Sequence, residues 1–448
     1  MKKILLNVIS IFFLVNLGVA QPFASIEIID PNTGNEPYEI ASGDLDGDGD
    51  MDIVMATYDF NGGVPAQDYI KWYSNDGMGN FTLETTVSST IQWVDGLTVA
   101  DIDGQFGLDI VATSVNQDKL VYYLSDGAGG FGAEITVDSA LAGPGQVVAG
   151  DINNDGNIDL ATMSYTNNRT VWYAGDGTGN FTPEVDIENG TTDGSYYIDL
   201  ADFDNDGDLD AVVGFANTQN IEIYYNQYVE SGTMTVSWIK DAVSVSTGNT
   251  FLVAVTAGDV NNDGTIDVVK VDNVSGNVAW YDKTKDGPSN EMIIQDNTII
   301  SRPGTAYVAD LDNDMLNDVI VTDGGAADDA IIYFKGALNA NPSATETFIG
   351  NNNHQMWDIT VEDFDNDGDQ DIAAIGNFSD TVEWIENLLI VLGVSESTLE
   401  DLKIYPNPTK DALDFDGITT AVPVSVYDNV GRQVLNTTLT MGTTMYLN

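Results

Sequence analysis

Asp44, Asp46 and Asp48 alternate along Gly43-Asp-Leu-Asp-Gly-Asp-Gly-Asp-Met-Asp52. Three carboxylates two residues apart, on a chain that is extended and then turns, can point at one centre. Gly49 stands where the turn is sharpest, because glycine takes positive φ without a steric penalty. Asp50, seventh in the loop, would offer its backbone carbonyl, and Asp52, ninth, would close the sphere. A set made only of hard oxygens suits calcium, which takes about 6–8 oxygen ligands in flexible geometry.

The loop recurs, starting at Asp44, Asp101, Asp151, Asp202, Asp259, Asp310 and Asp363, with successive starts 57, 50, 51, 57, 51 and 53 residues apart. Seven copies in register signal a repeat architecture, whereas one acidic loop would be a weak sign. The candidate ligands are Asp44, Asp46, Asp48, Asp50 and Asp52 in the first loop, and Asp151, Asn153, Asp155, Asn157 and Asp159 in the third. The fourth and fifth loops offer Asp202, Asp204, Asp206, Asp208 and Asp210, then Asp259, Asn261, Asp263, Thr265 and Asp267. The sixth and seventh offer Asp310, Asp312, Asp314 and Asp318, then Asp363, Asp365, Asp367, Asp369 and Asp371. The copies are unequal. Met315 replaces the glycine of the sixth, and a side chain at positive φ costs roughly 1 kcal/mol or more, so that site is expected to be weaker. Gln105 and Phe106 replace the Asp-Gly pair of the second, which is expected to be empty. The expectation is about five strong calcium sites and a weaker sixth, the ion pinning a β-turn rather than reacting.

The balance of charge points the same way. Lys and Arg number 14 against 71 Asp and Glu, for a net charge of −57. Nucleic acids and anionic membrane surfaces need basic patches, so neither is an expected partner. Without cysteine there are no disulfides and no thiol chemistry; bound cations can take over the cross-linking role in an exported protein. Export is itself expected. Lys2 and Lys3 precede an apolar run from Ile4 to Leu17, and Gly18-Val-Ala20 ends it with small residues. This reads as a signal peptide over residues 1–20, cleaved before Gln21, with no membrane span thereafter.

The elements that must position the loops are strands. Counting back four from each loop's first Asp gives Ile40, Leu97, Val147, Ile198, Val255, Ala306 and Ile359. That is one packed face of a strand entering the loop. A second strand leaves the loop, as in Asp52-Ile-Val-Met55, and a third carries an aromatic pair such as Trp72-Tyr73 or Trp280-Tyr281. Three repeats then turn through Asp-Gly-x-Gly-x-Phe, at residues 76–81, 126–131 and 176–181, into a fourth strand. After the seventh loop no fourth strand follows. The alternating segment Phe23–Ile29 is expected to complete that repeat, closing a ring and removing sheet edges. The whole is an all-β, seven-bladed β-propeller over residues 21–392.

The acidic loops and the Trp-Tyr…Asp-Gly-x-Gly-x-Phe turns resemble the FG-GAP/VCBS repeat family, which includes the seven-bladed head of integrin α subunits. The resemblance covers about residues 23–392 and implies a propeller with calcium in loops on one face. Nothing here resembles the integrin partner-binding apparatus.

A polar linker, residues 393–398, leads to a small β-sandwich-like unit over residues 399–448. Its Tyr405-Pro-Asn-Pro408 and Val426-Tyr-Asp-Asn-Val-Gly-Arg432 resemble the C-terminal sorting domain of the type IX secretion system. That resemblance implies the type IX machinery as a partner and an extracellular or outer-surface destination. The chain departs from the pattern at Tyr446-Leu-Asn448, where a Gly-x-Tyr strand and a basic tail are usual, so the domain is expected to be incomplete. Asp411, Asp414 and Asp416 lack the loop spacing and read as surface residues.

No nucleophile elbow, phosphate loop or His-Glu-x-x-His is present, and the single histidine, His354, excludes His-based triads unless it serves itself. No catalytic residue is assigned. A ligand surface is expected where connections enter the first strands, at the face opposite the acidic loops. Tyr38, Trp93, Tyr196, Phe251, Tyr307, His354 and Trp357 gather there. Such rings could stack on sugars or clasp a peptide; the plainer reading is that they fill space between blades. The expected function is a binding or adhesion module for a polysaccharide or protein. One alternative is a carbohydrate-active lyase or hydrolase working at the propeller mouth; another is a passive structural surface protein.

Overall fold

The computed structural model describes residues 23–388, apart from 35, 59–67, 106, 191–192, 230–234, 283, 297–299, 301, 325–329, 344–345 and 352–355, together with short strands between 403 and 446. The signal segment and the 393–398 linker lie outside the described residues.

Each repeat folds as an antiparallel sheet in which the strand entering the acidic loop is innermost. The seven inner strands are Pro37–Gly43, Val94–Ala100, Pro144–Gly150, Ser195–Ala201, Leu252–Gly258, Pro303–Ala309 and Met356–Glu362. Each touches the next, and the last touches the first, so the ring is closed. Closure works as the alternation of Phe23–Ile29 leads one to expect. Glu27–Asp30 pairs with Thr381–Ile385 as the outer strand of the seventh blade, with Glu27 opposite Trp384. The strand is shorter than the sequence suggests, and Phe23 makes only an isolated bridge to Asn387. Likewise Phe131 bridges Ser125, and the fourth strand of that repeat begins only at Ile135.

The core is seven wedges, one between each pair of neighbouring blades. The inner-strand positions read as packed are all buried, Ile40 through Ile359. Both members of each aromatic pair are buried too, Trp72 and Tyr73 among them, and each such ring contributes about 1.5–3 kcal/mol by leaving water. The glycine turns explain themselves through this packing. Gly79, at φ 70°, lies under the Trp384 indole, where a Cβ would come within 2.1 Å of the ring. The seventh blade's tryptophan thus seats on the first blade's turn.

The terminal unit comprises Lys403–Tyr405, Ala412–Asp416 and Thr444–Tyr446 in one sheet and the hairpin of Val422–Tyr427 with Gln433–Leu439. These short strands fit the small β-sandwich-like unit read from the sequence. The side chains of Asp411, Asp414 and Asp416 lie outside the described residues.

Candidate functional site

Two sites sit at the two ends of the inner strands. At the exit end, six of the acidic loops share the same local bond. The first Asp accepts the N–H of the sixth residue: Gly49 at 3.1 Å, Gly156 at 2.9 Å, Gly207 at 3.0 Å, Gly264 at 2.8 Å and Gly368 at 3.0 Å. These glycines hold φ between 87° and 99°. Met315 makes the same bond at 2.7 Å and is forced to φ 69°, the strain expected from the sequence. In the second loop Gly107 holds φ 101°.

The ninth Asp is buried in all seven loops. In the first, Asp52 accepts Leu45 N–H at 2.9 Å and Asn75 N–H at 2.8 Å. In the seventh, Asp371 accepts Phe364 N–H at 3.1 Å and Asn387 N–H at 2.7 Å. It therefore ties the loop to its own third strand as well as facing the centre. Two regularities escaped the sequence reading. The second loop residue, Leu45, Ile102, Ile152, Phe203, Val260, Leu311 or Phe364, is buried in an inter-blade wedge. The fourth is always Gly or Asn and always at positive φ, where those two residue types are tolerated best. The shared apolar and Gly/Asn identities at these positions were the available signal.

The loops fit a cation. Carboxylate oxygens lie within 4.8 Å of one another in Asp44/Asp46/Asp48, Asp101/Asp103/Asp109, Asp202/Asp204/Asp206, Asp310/Asp312/Asp318 and Asp363/Asp365/Asp371. Charges that close repel by roughly 3 kcal/mol per pair near a protein surface. Asp369 is 1% exposed with neither carboxylate oxygen hydrogen-bonded, and burial followed by the Asp367 and Asp371 charges pushes its pKa up to about 8. Oδ1 of Asp204 and of Asp312 is likewise buried without a partner. The third and fifth loops, with Asn153 and Asn261, offer amide oxygens instead. The second loop, expected to be empty, brings three carboxylates together.

Two lysines already stand in this face. Lys335 pairs with Asp312, and with Asp314 at 2.9 Å, in the loop that carries Met315. Lys285 pairs with Asp204 in the fourth loop. These contacts bridge 23 and 81 residues of chain, so no local motif announces them.

At the entry end, all seven inner strands line a cavity of ≈ 230 Å³. Tyr38, Tyr196, Tyr307 and Trp357 line it, as the sequence reading expected. The Tyr38 ring stacks on Trp357 at 5.5 Å, and Tyr38 meets Tyr58 at 5.1 Å. Tyr58 stacks on Trp93 at 5.4 Å, so four rings from three blades form one row leading to the cavity. Trp93 has φ 52°, rare for so bulky a residue and a mark of functional or packing constraint. Its backbone N–H donates to Asp68 Oδ2 at 2.8 Å, which holds it there. Phe251 is exposed and does not line the cavity; it extends from the turn before its strand instead of pointing inward. His354 lies outside the described residues.

The sequence reading missed the acids among these rings: Glu39, Asp95, Asp199 and Asp358. Burial pushes the pKa of Asp95 up to about 7, against a hydrogen bond from Tyr196. Burial also pushes Asp358 up to about 7, and raises Glu39 with help from the Asp358 charge.

Comparison with known proteins agrees with this architecture. The FG-GAP-like repeat model matches residues 44–105, 151–213 and 259–321, and the secretion-system C-terminal sorting domain matches 403–447. The molecule is thus a seven-bladed propeller with FG-GAP-like repeats over those three stretches. It carries a type IX sorting domain and is a secreted or cell-surface protein. Among the described residues no helix is long and apolar enough to cross a membrane. Among solved structures it is similar to an Agrocybe aegerita lectin described as recognising non-reducing terminal N-acetylglucosamine (16% identity, 71% of this chain, 81% of that one, TM-score 0.50). It is also similar to a catalytically inactive virginiamycin B lyase from Staphylococcus aureus with quinupristin (15% identity, 81% of this chain, 99% of that one, TM-score 0.51). Identities this low speak for the fold alone. No curated protein matches the sequence.

Proposed function

We propose that this secreted or surface protein is a recognition module: calcium in the acidic loops braces one face, and the aromatic mouth at the other takes a polysaccharide or protein ligand. The observation that carries the reading is the row Trp357–Tyr38–Tyr58–Trp93 running into a cavity lined by all seven inner strands. Rings fixed by a rigid scaffold present apolar area without an ordering cost on binding. The calcium part is supported by the converging carboxylates and by the orphaned oxygens of Asp369. Calcium there would neutralise the acid clusters and fix the turns, a bracing role without a reaction.

A glycan-array screen of the full chain in millimolar calcium tests the reading, with a peptide array beside it. A coherent family of hits lost on substituting Trp357 supports it; blank arrays with folded protein would shift the role to a structural one. The raised acids Asp95 and Asp358 favour a second reading, a carbohydrate-active enzyme, because a carboxyl near pH 7 can donate a proton. Incubating each glycan hit with the protein and looking for shortened chains separates the two.

A further inference from the structure

The acids at the mouth ask for a partner of definite charge. Among the described residues lining the cavity there are four carboxyls and no Lys, Arg or His. Asp199 is satisfied, taking N–H bonds from Leu200 and Ala257, both at 2.8 Å, and the Thr256 hydroxyl at 3.2 Å. Asp358 takes the N–H of Ile40 at 3.2 Å and that of Ile359. Asp95 is 4% exposed, and its Oδ2 has no hydrogen-bond partner. A buried acceptor left unmade is costly, so this oxygen points to something that binds there. Compact three-acid clusters, with oxygens within 4.8 Å, occur among the described residues at the loops and not at the cavity. Spread carboxyls between ring faces suit a larger organic cation better than a bare metal ion: an ammonium group donates up to three hydrogen bonds and is attracted to aromatic faces.

We propose that the cavity binds an alkylammonium group on a slim chain, with Asp95 as its counter-ion, Glu39 and Asp358 flanking it, and Tyr38, Tyr196 and Trp357 as its aromatic walls. This rests on the mouth being the ligand site and names the chemistry it selects. It excludes uronate and sulfated chains, which the same carboxyls repel. The ammonium can come from a free diamine or from a lysine side chain.

The test is calorimetric titration of the full chain, in millimolar calcium and physiological salt, with cadaverine, with N-acetyl-lysine methylamide and with neutral 1,5-pentanediol. Saturable binding of either amine but not the diol, weakened about tenfold or more by Asp95→Asn, supports the proposal. The tighter amine tells which source the site prefers. Glu39→Gln, weakening binding while the melting temperature stays, guards against a misfolded Asp95 variant. Amine binding unchanged in both variants, or equal binding of the diol, overturns it. If neither amine binds while the arrays give hits that need Trp357, the cation proposal fails and the mouth reading stands. If both fail, the mouth reading falls too.

Discussion

Asp95→Asn should reverse part of the protein's dependence of stability on pH. Burial lifts the Asp95 pKa from 3.8 to about 7. A group whose pKa is raised in the fold helps folding below its unfolded value and loses that help as pH rises through the folded one. Each unit is worth about 1.4 kcal/mol, so the whole window is worth about 4 kcal/mol. Between about pH 5 and about pH 8 roughly two units of it are crossed, a swing of about 3 kcal/mol. Asparagine stays neutral throughout and resembles the protonated acid: its oxygen can accept the Tyr196 hydroxyl, and its amide takes the place of the unpartnered Oδ2. The groups around Asp95 that also carry or develop charge are Glu39, Tyr38, Tyr58, Tyr196 and Tyr197. The raised loop aspartates remain in both proteins and cancel in the comparison, whereas Glu39, whose rise has the Asp95 charge among its causes, is eased in the variant and adds to the effect in the same direction. The assay is denaturant unfolding of wild type and variant at both pH values, in saturating calcium and without amine. The stability of the variant relative to wild type should rise by about 3 kcal/mol between about pH 5 and about pH 8. A gap that does not change with pH would refute the reasoning, because Asp95 would then be ionised at no cost.

Three further outcomes follow from the two faces. Chelating calcium should lower the melting temperature of the full chain by many degrees, because ions held only by the folded loops stabilise by mass action; an unchanged melt would sink the calcium assignment. Met315→Gly with Lys335→Met should strengthen the sixth site, relieving roughly 1 kcal/mol of backbone strain and removing the competing ammonium; calcium titration of the pair should gain affinity at one site, and no gain would show that neither residue limits it. Trp93→Ala with Trp357→Ala should abolish ligand binding at the mouth and leave the melt nearly unchanged; a large drop in the melt would make both rings part of the core.

What could be read from the sequence was what lies within one repeat. The loop ligands span nine residues, the inner-strand face alternates with period two, and the Gly49-type turn is dictated by backbone sterics, so each is written locally and seven times over. Even the closing strand could be inferred, because six complete repeats expose what the seventh lacks. The mouth is a different kind of object. Glu39, Asp95 and Asp358 come from three blades, and each is one acid among 71 in a chain whose loops account for many of the rest. Their aromatic neighbours could be found by counting back from each loop, since position along the inner strand sets height in the channel. Direction could not: Phe251, at the same offset as Trp93, is exposed, while Asp68 holds the Trp93 backbone and the Trp93 ring stacks on Tyr58. Lys335 makes the same point on the other face. The folded blade brings that ammonium, which follows its third strand, back onto two aspartates of its own loop, the one that also lost its glycine, so the charge of the strained loop is met by a side chain.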